Sequence, residues 1–143
     1  IIAKFATNKP IMSKVVNISE AASLAIHAIV LIAASDKLIN VNQIAEATGA
    51  SRNHLAKVMQ RLGKQGLVTS SRGPNGGFKL KKKPSEFTLY DVYESIEGPI
   101  EIEGCPMERP VCPFEKCLMG GIIHKVTSVL RTYLEAETID KYI

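Results

Sequence analysis

Three cysteines, Cys105, Cys112 and Cys117, fall in the single stretch CPMERPVCPFEKC, with six residues between the first two and four between the last two, and the chain has no others. A disulfide uses two thiols and a four-cysteine zinc site uses four, so three thiols in one loop imply that something else completes the set. Buried structural cysteines sit on periodic core positions, whereas Pro106, Pro110 and Pro113 keep this segment non-helical until about Cys117. Reactive redox thiols favour electropositive surroundings, yet Glu101, Glu103, Glu108 and Glu115 outnumber Arg109 and Lys116 nearby. A bound metal keeps thiolates ionised in an acidic setting. Zinc sites favour closer ligand pairs than these. Metal binding therefore fits the loop best, with redox thiols, buried cysteines and zinc completed by a histidine as the competing readings.

The elements that carry this loop come next. The stretch LINVNQIAEATGASRNHLAKVMQRLGKQGLV divides into two short helical patterns around a glycine. In the first, Val41, Ile44, Ala45 and Thr48 share a face, and Gly49 supplies the left-handed residue that ends it. The second opens on Ser51 as N-cap and places Leu55, Val58, Met59 and Leu62 on one face. Two helices joined by TGAS predict a helix-turn-helix. Opposite the second apolar face lie Arg52, Asn53, His54, Lys57 and Arg61, side chains suited to base edges in a major groove. The stretch GLVTSSRGPNGGFKL then predicts a strand over 67–71, a tight turn over 72–76 and a returning strand over 77–80. Such a hairpin is a wing: Arg72 and Asn75 sit in its turn, where arginine suits a narrow minor groove, and KLKKK at its exit suits phosphates.

Charge supports the division. Residues 51 to 83 hold nine of the 18 basic residues and no Asp or Glu, whereas residues 86 to 115 hold eight acidic residues against Arg109 alone. The formal net charge of +4 conceals this asymmetry, which predicts a polyanion-binding half joined to an acidic half with different work. In the acidic half, Thr88 and Asp91 form a capping pair for a helix carrying Leu89, Val92, Tyr93 and Ile96, stopped by Gly98 and Pro99. Beyond the cysteines, Ile122, Ile123, Val126, Val129, Leu130, Tyr133 and Leu134 trace a long amphipathic helix that a small wing domain cannot cover.

At 143 residues and 45% hydrophobic, the chain can bury one core. The most apolar stretch, residues 21 to 34, is interrupted by Ser23 and His27 and is shorter than the roughly 18 to 20 residues of a membrane span, so it predicts a buried helix and no membrane role. The opening residues lack a signal-peptide pattern, which points to a reducing cytoplasm. Residues 1–11 precede a start-like Met12–Lys14 and carry no functional weight in this reading. Without a C-x-x-C pair or a glycine-rich cofactor loop, a thiol oxidoreductase is disfavoured and no enzyme is expected. A winged-helix module that binds protein instead of DNA is the remaining alternative class.

With ASRNHLAKVMQRLGKQGLVTSSRGPNGGFKL and the three-cysteine loop after LYDVYESIEG, the chain resembles, over residues 17 to about 140, the Rrf-two type family of winged-helix transcriptional regulators, of the IscR/NsrR-like iron-sulfur sensor kind. The resemblance implies a mostly α fold with a small β-hairpin wing, in which 12–84 form the winged helix-turn-helix and 85–143 the cysteine loop and a long C-terminal dimerisation helix. It implies a homodimer on a double-stranded DNA operator, with Ser51, Asn53, His54 and Lys57 in the major groove and Arg72 in the minor groove. It also tips the metal reading to an iron-sulfur cluster, [2Fe-2S] or [4Fe-4S], on Cys105, Cys112 and Cys117. The fourth ligand departs from the pattern: Gly120 stands where IscR-like members carry histidine, and Ser23 where nitric-oxide sensors offer a carboxylate. His27, one turn beyond Ser23, is the candidate, with Glu20, His124, an exogenous thiol or water as alternatives.

Overall fold

The computed structural model describes residues 16–102, 107 and 112–143; the leader 1–11 and Cys105 lie outside them. Five α-helices and one hairpin run in the order α1 (Glu20–Ala34), α2 (Val41–Thr48), α3 (Arg52–Lys64), β1 (Val68–Ser71), β2 (Gly77–Leu80), α4 (Leu89–Glu97) and α5 (Ile122–Ala136) among the described residues. Among the described residues, no helix is long and apolar enough to cross a membrane.

The central element is α1. Ser19 caps it by accepting from the Ala22 N–H at 3.0 Å. Its Ala22, Ala25, Ala28 and Ile29 are fully buried, and the small residues let neighbouring helices approach closely. It packs against α4 on one side and α3 and α2 on the other, so the helix-turn-helix and the C-terminal half share one core.

The helix-turn-helix is fastened at each end by its own side chains. Asn40 and Gln43 form a capping box at the head of α2, each side chain accepting from the other's backbone N–H at 2.9 Å. Gly49 ends α2 with φ 69°, and Ser51 caps α3 by accepting from the His54 N–H. Leu55, Val58, Met59 and Leu62 are all buried, as their spacing predicts.

The wing pairs Val68 with Leu80 through Ser71 with Gly77, antiparallel. Ile39, ahead of α2, adds a third rung: Phe78 N–H donates to Ile39 C=O at 2.8 Å and Ile39 N–H to Phe78 C=O at 3.4 Å. A side chain on Gly77 would put its Cβ 2.7 Å from the Ile39 carbonyl, so only glycine permits this approach.

In the acidic half, Thr88 and Asp91 form the capping box that their spacing predicts, and Gly98 closes α4 with φ 82°. The long helix starts at Ile122, five residues after Cys117, because Gly120 and Gly121 both take left-handed conformations. After α5 the chain turns back. Ile139 is fully buried, its N–H donates to Phe87 C=O at 3.0 Å, and Leu89 N–H donates to Glu137 C=O at 2.8 Å.

Candidate DNA interface and cysteine centre

The exposed face of α3 is set by its buried face. With Leu55, Val58, Met59 and Leu62 turned inward, Arg52, Asn53, Lys57 and Arg61 are exposed and His54 is half-buried. Arg52 is not free-standing: its Nη1 donates to Asn42 Oδ1 at 3.2 Å, linking the first turns of α2 and α3. Asn42 carried no signal in the sequence, since the pairing crosses the helix-helix turn. Ser51 is exposed, with its oxygen engaged in the cap. In the wing, Arg72 and Asn75 are exposed at the tip, where Gly76 N–H donates to Gly73 C=O at 2.9 Å and closes the turn around Pro74 and Asn75. A cleft of ≈ 440 Å³ separates Asn40–Asn42 from Arg72 and Gly73. Head of α2, exposed face of α3 and wing tip thus form one basic surface without a carboxylate between Ser51 and Lys83, and its arginines, lysines and amides suit phosphates and base edges.

At the other end, Cys112 and Cys117 are free and exposed. Backbone N–H groups of Gly121, and then Met119 and Gly120, hold the Cys117 thiol below the ordinary cysteine range, against a smaller opposing effect of desolvation. The sequence pointed away from an activated thiol because it counted nearby carboxylates; the cause is main-chain dipoles at the head of α5, which no charge count registers. His27 is exposed on α1, and its Nδ1 donates to Ser23 C=O at 2.7 Å, which leaves Nε2 as the available ring nitrogen. Among the described residues no three His, Cys, Asp or Glu side chains gather closely enough to hold a metal, so His27, Cys112 and Cys117 do not form a common ligand set within one chain.

Two apolar surfaces flank this centre. On α5, Ile122, Val126, Val129 and Tyr133 are 50%, 37%, 64% and 54% exposed, whereas Leu134 alone is buried. Along α1, an open groove of ≈ 1010 Å³ is lined by Ser23, Ile26, His27 and Val30 and closed by Tyr133 and Tyr142. Between α4 and α5, the loop that leads to the cysteines is gripped at Ile100. Its N–H donates to Tyr90 Oη at 3.2 Å and its C=O accepts from Arg131 Nη1 at 3.1 Å. The Arg131 guanidinium lies 5.2 Å from the Tyr90 ring centroid, and its Nε donates to Glu135 at 2.9 Å.

This geometry has relatives. The chain is 34% identical over 105 residues to the HTH-type transcriptional regulator NsrR of Shouchella clausii, spanning 72% of this chain and 70% of that one. Its fold matches the structure of CymR, the global cysteine regulator of B. subtilis, with a TM-score of 0.73 at 24% identity over 87% of this chain and 94% of that one. It matches T. potens IscR with a TM-score of 0.68 at 21% identity over 87% and 84%. The family model described as Rrf2, iron-dependent transcriptional regulator, covers residues 18–143, and with a mostly helical winged-helix fold built around a two-stranded wing, the chain is a member of the Rrf2 family of transcriptional regulators.

Proposed function

We propose that the chain acts as a homodimer whose affinity for a double-stranded DNA operator is set by an iron-sulfur cluster. Residues 12–84 read the DNA: Ser51, Arg52, Asn53, His54 and Lys57 face the major groove, and Arg72 with Asn75 enters the minor groove from the wing. Residues 85–143 supply the sensing loop and the dimer helix. The observation that carries this reading is that the cysteine loop opens directly into α5, the helix with the uncovered apolar face. Chemistry at the loop and assembly of the dimer therefore act on the same element.

The residues present suit a cluster. Cys105, Cys112 and Cys117 would hold it, and the depressed Cys117 thiol already favours the thiolate that ligation requires. His27 offers Nε2 for the fourth place, its tautomer fixed by Ser23, and because His27 does not gather with Cys112 and Cys117 within one chain, it would serve from the second copy of the dimer. The cluster, [2Fe-2S] or [4Fe-4S], supplies a centre that responds to oxidants, nitric oxide or iron supply. The chain's own part is to convert the tightness of the loop into the position of α5. The same depressed Cys117 thiol favours one second reading, a regulator that senses through thiols alone.

One experiment separates the two. Protein purified without oxygen is measured for visible absorption and for iron and zinc content, and its affinity is compared with and without the cluster on a duplex that it selects from a randomised pool. Visible absorption, bound iron and a shift in affinity support the cluster. Colourless protein that answers only to thiol oxidation supports the second reading.

A further inference from the structure

We propose that Tyr90 and Arg131 are positioning residues: together they anchor the root of the cysteine loop at Ile100 and transmit the state of that loop to α4 and α5. The inference rests on the reading of the loop as the sensing element. Backbone groups in an irregular segment are ordinarily satisfied by close neighbours or by water. Ile100 is satisfied by two helices instead, its N–H by Tyr90 on α4 and its C=O by Arg131 on α5, thirty-one residues further on. Neither partner is free to follow it passively. Tyr90 is 7% exposed, which fixes its ring, and Arg131 is held against that ring and by Glu135.

The loop is consequently fastened to α5 twice. One fastening is Arg131, and the other is the turn from Cys117 to Gly121 that starts the helix, where Gly120 N–H donates to Cys117 C=O at 3.1 Å and Ile122 N–H to Met119 C=O at 3.0 Å. Ile122 and Arg131 are about 14 Å apart along the helix axis at 1.5 Å per residue. Cys105 follows Ile100 by five residues, a reach of at most about 18 Å. The described residues tie the loop at both of these points, and a ligand that draws the thiols together more tightly than the intervening chain allows would load Ile100, where the pull falls on the contact between Arg131 and Tyr90. Contraction at the thiols becomes a displacement of α5 against α4. Because α4 packs on α1, and α1 on α3, the displacement has a packed route to the reading helix.

The test uses Tyr90→Phe, which removes one oxygen, Arg131→Met, which keeps the aliphatic stem, and Arg131→Lys, which keeps the charge. Three quantities are read in the whole protein: hydrogen exchange of the Ile100 amide without the cluster, iron content after loading, and the ratio of operator Kd values with and without the cluster. For the wild type a ratio of about 5 to 150 is expected. Tyr90→Phe and Arg131→Met should speed Ile100 exchange at least about tenfold, leave Leu55 protection and iron content unchanged, and bring the ratio within about twofold of one. Arg131→Lys should retain part of it. Variants that load iron and keep the wild-type ratio overturn the proposal, as does Ile100 exchange unaltered in both Tyr90→Phe and Arg131→Met. A wild-type ratio of one instead overturns the sensing reading and the transmission with it, while Ile100 exchange still reports separately on the clamp. If Arg131→Met fails to fold, Tyr90→Phe alone carries the same comparison.

Discussion

The two halves of this chain finish their structures differently. In the winged-helix half, each of the three helices through α3 is capped by its own sequence and the large apolar side chains facing inward on α2 and α3 are covered: Ile44, Leu55 and Leu62 are fully buried. In the C-terminal half, α4 is finished in the same way, but α5 has no side-chain cap and leaves Val129 and Tyr133 more than half exposed. A helix of 15 residues with that much uncovered apolar surface is marginal alone. The contrast teaches that stability and assembly fall to separate regions: one half covers its apolar positions in a single copy, and the other leaves a face that, in the dimer proposed above, a second copy would cover.

The most forceful way to break this contrast is to charge the uncovered face. Ile122→Asp combined with Val129→Asp should give a folded monomer by sedimentation. Operator binding should fall by about 10²- to 10⁴-fold, the avidity lost when one half-site is released. A double variant that remains dimeric would remove the assignment of α5 to the interface. Truncation in the complete half should act on stability instead. Leu55→Ala, at a fully buried position, should cost about 2–5 kcal/mol in denaturant unfolding at fixed protein concentration. Arg72→Ala sharpens the same distinction, because it should weaken operator binding by about 1–3 kcal/mol and change stability by less than about 0.5 kcal/mol. Operator affinity unchanged in a folded Arg72→Ala protein would remove the wing from the interface. Smaller again, Asn40→Ala opens the capping box of α2 and should lower stability by about 1 kcal/mol, measured by thermal unfolding.

The smallest expected effect is a pH dependence at the boundary of the C-terminal half. Main-chain N–H groups of Gly121, Met119 and Gly120 depress the Cys117 thiol, so the folded chain binds that proton more weakly than the unfolded one. The associated stabilisation is present above the unfolded value and is lost as pH falls through the folded value. In metal-free protein, alkylation of Cys117 should therefore reach half its maximal rate at a lower pH in the folded chain than in urea. Coincident midpoints would show that the turn at the head of α5 does not form.

The same contrast governs what was legible in the sequence. The helix-turn-helix, the wing and α4 were readable because their signals are local: Gly49, Ser51, the Thr88 and Asp91 pair and the glycine-rich turn each act within four residues. The uncovered face of α5 was readable too, since periodicity reports what a helix must bury. What escaped is long-range or main-chain in origin. Ile139 is one isolated residue in no periodic pattern, yet it is fully buried against Phe87 and α1. The Ile100 clamp joins residues ten and thirty-one apart. The site residues on α3 and the wing follow from position, whereas Cys105 lies outside the described residues and the relation of His27 to the thiols is not a matter of sequence spacing at all.

The rung between Ile39 and Phe78 bears on how such a regulator can change its target. It is made of main-chain groups alone, and the absence of a side chain at Gly77 is its sole sequence requirement. The placement of the hairpin against the start of the helix-turn-helix is thereby indifferent to most substitutions on either. On the proposed interface, side chains at Asn53, Lys57, Arg72 and Asn75 could be exchanged to favour a different series of base pairs while the stride between the two grooves stays the same. Vocabulary and metre are kept by different atoms, so one scaffold can acquire new operators without having to fold anew.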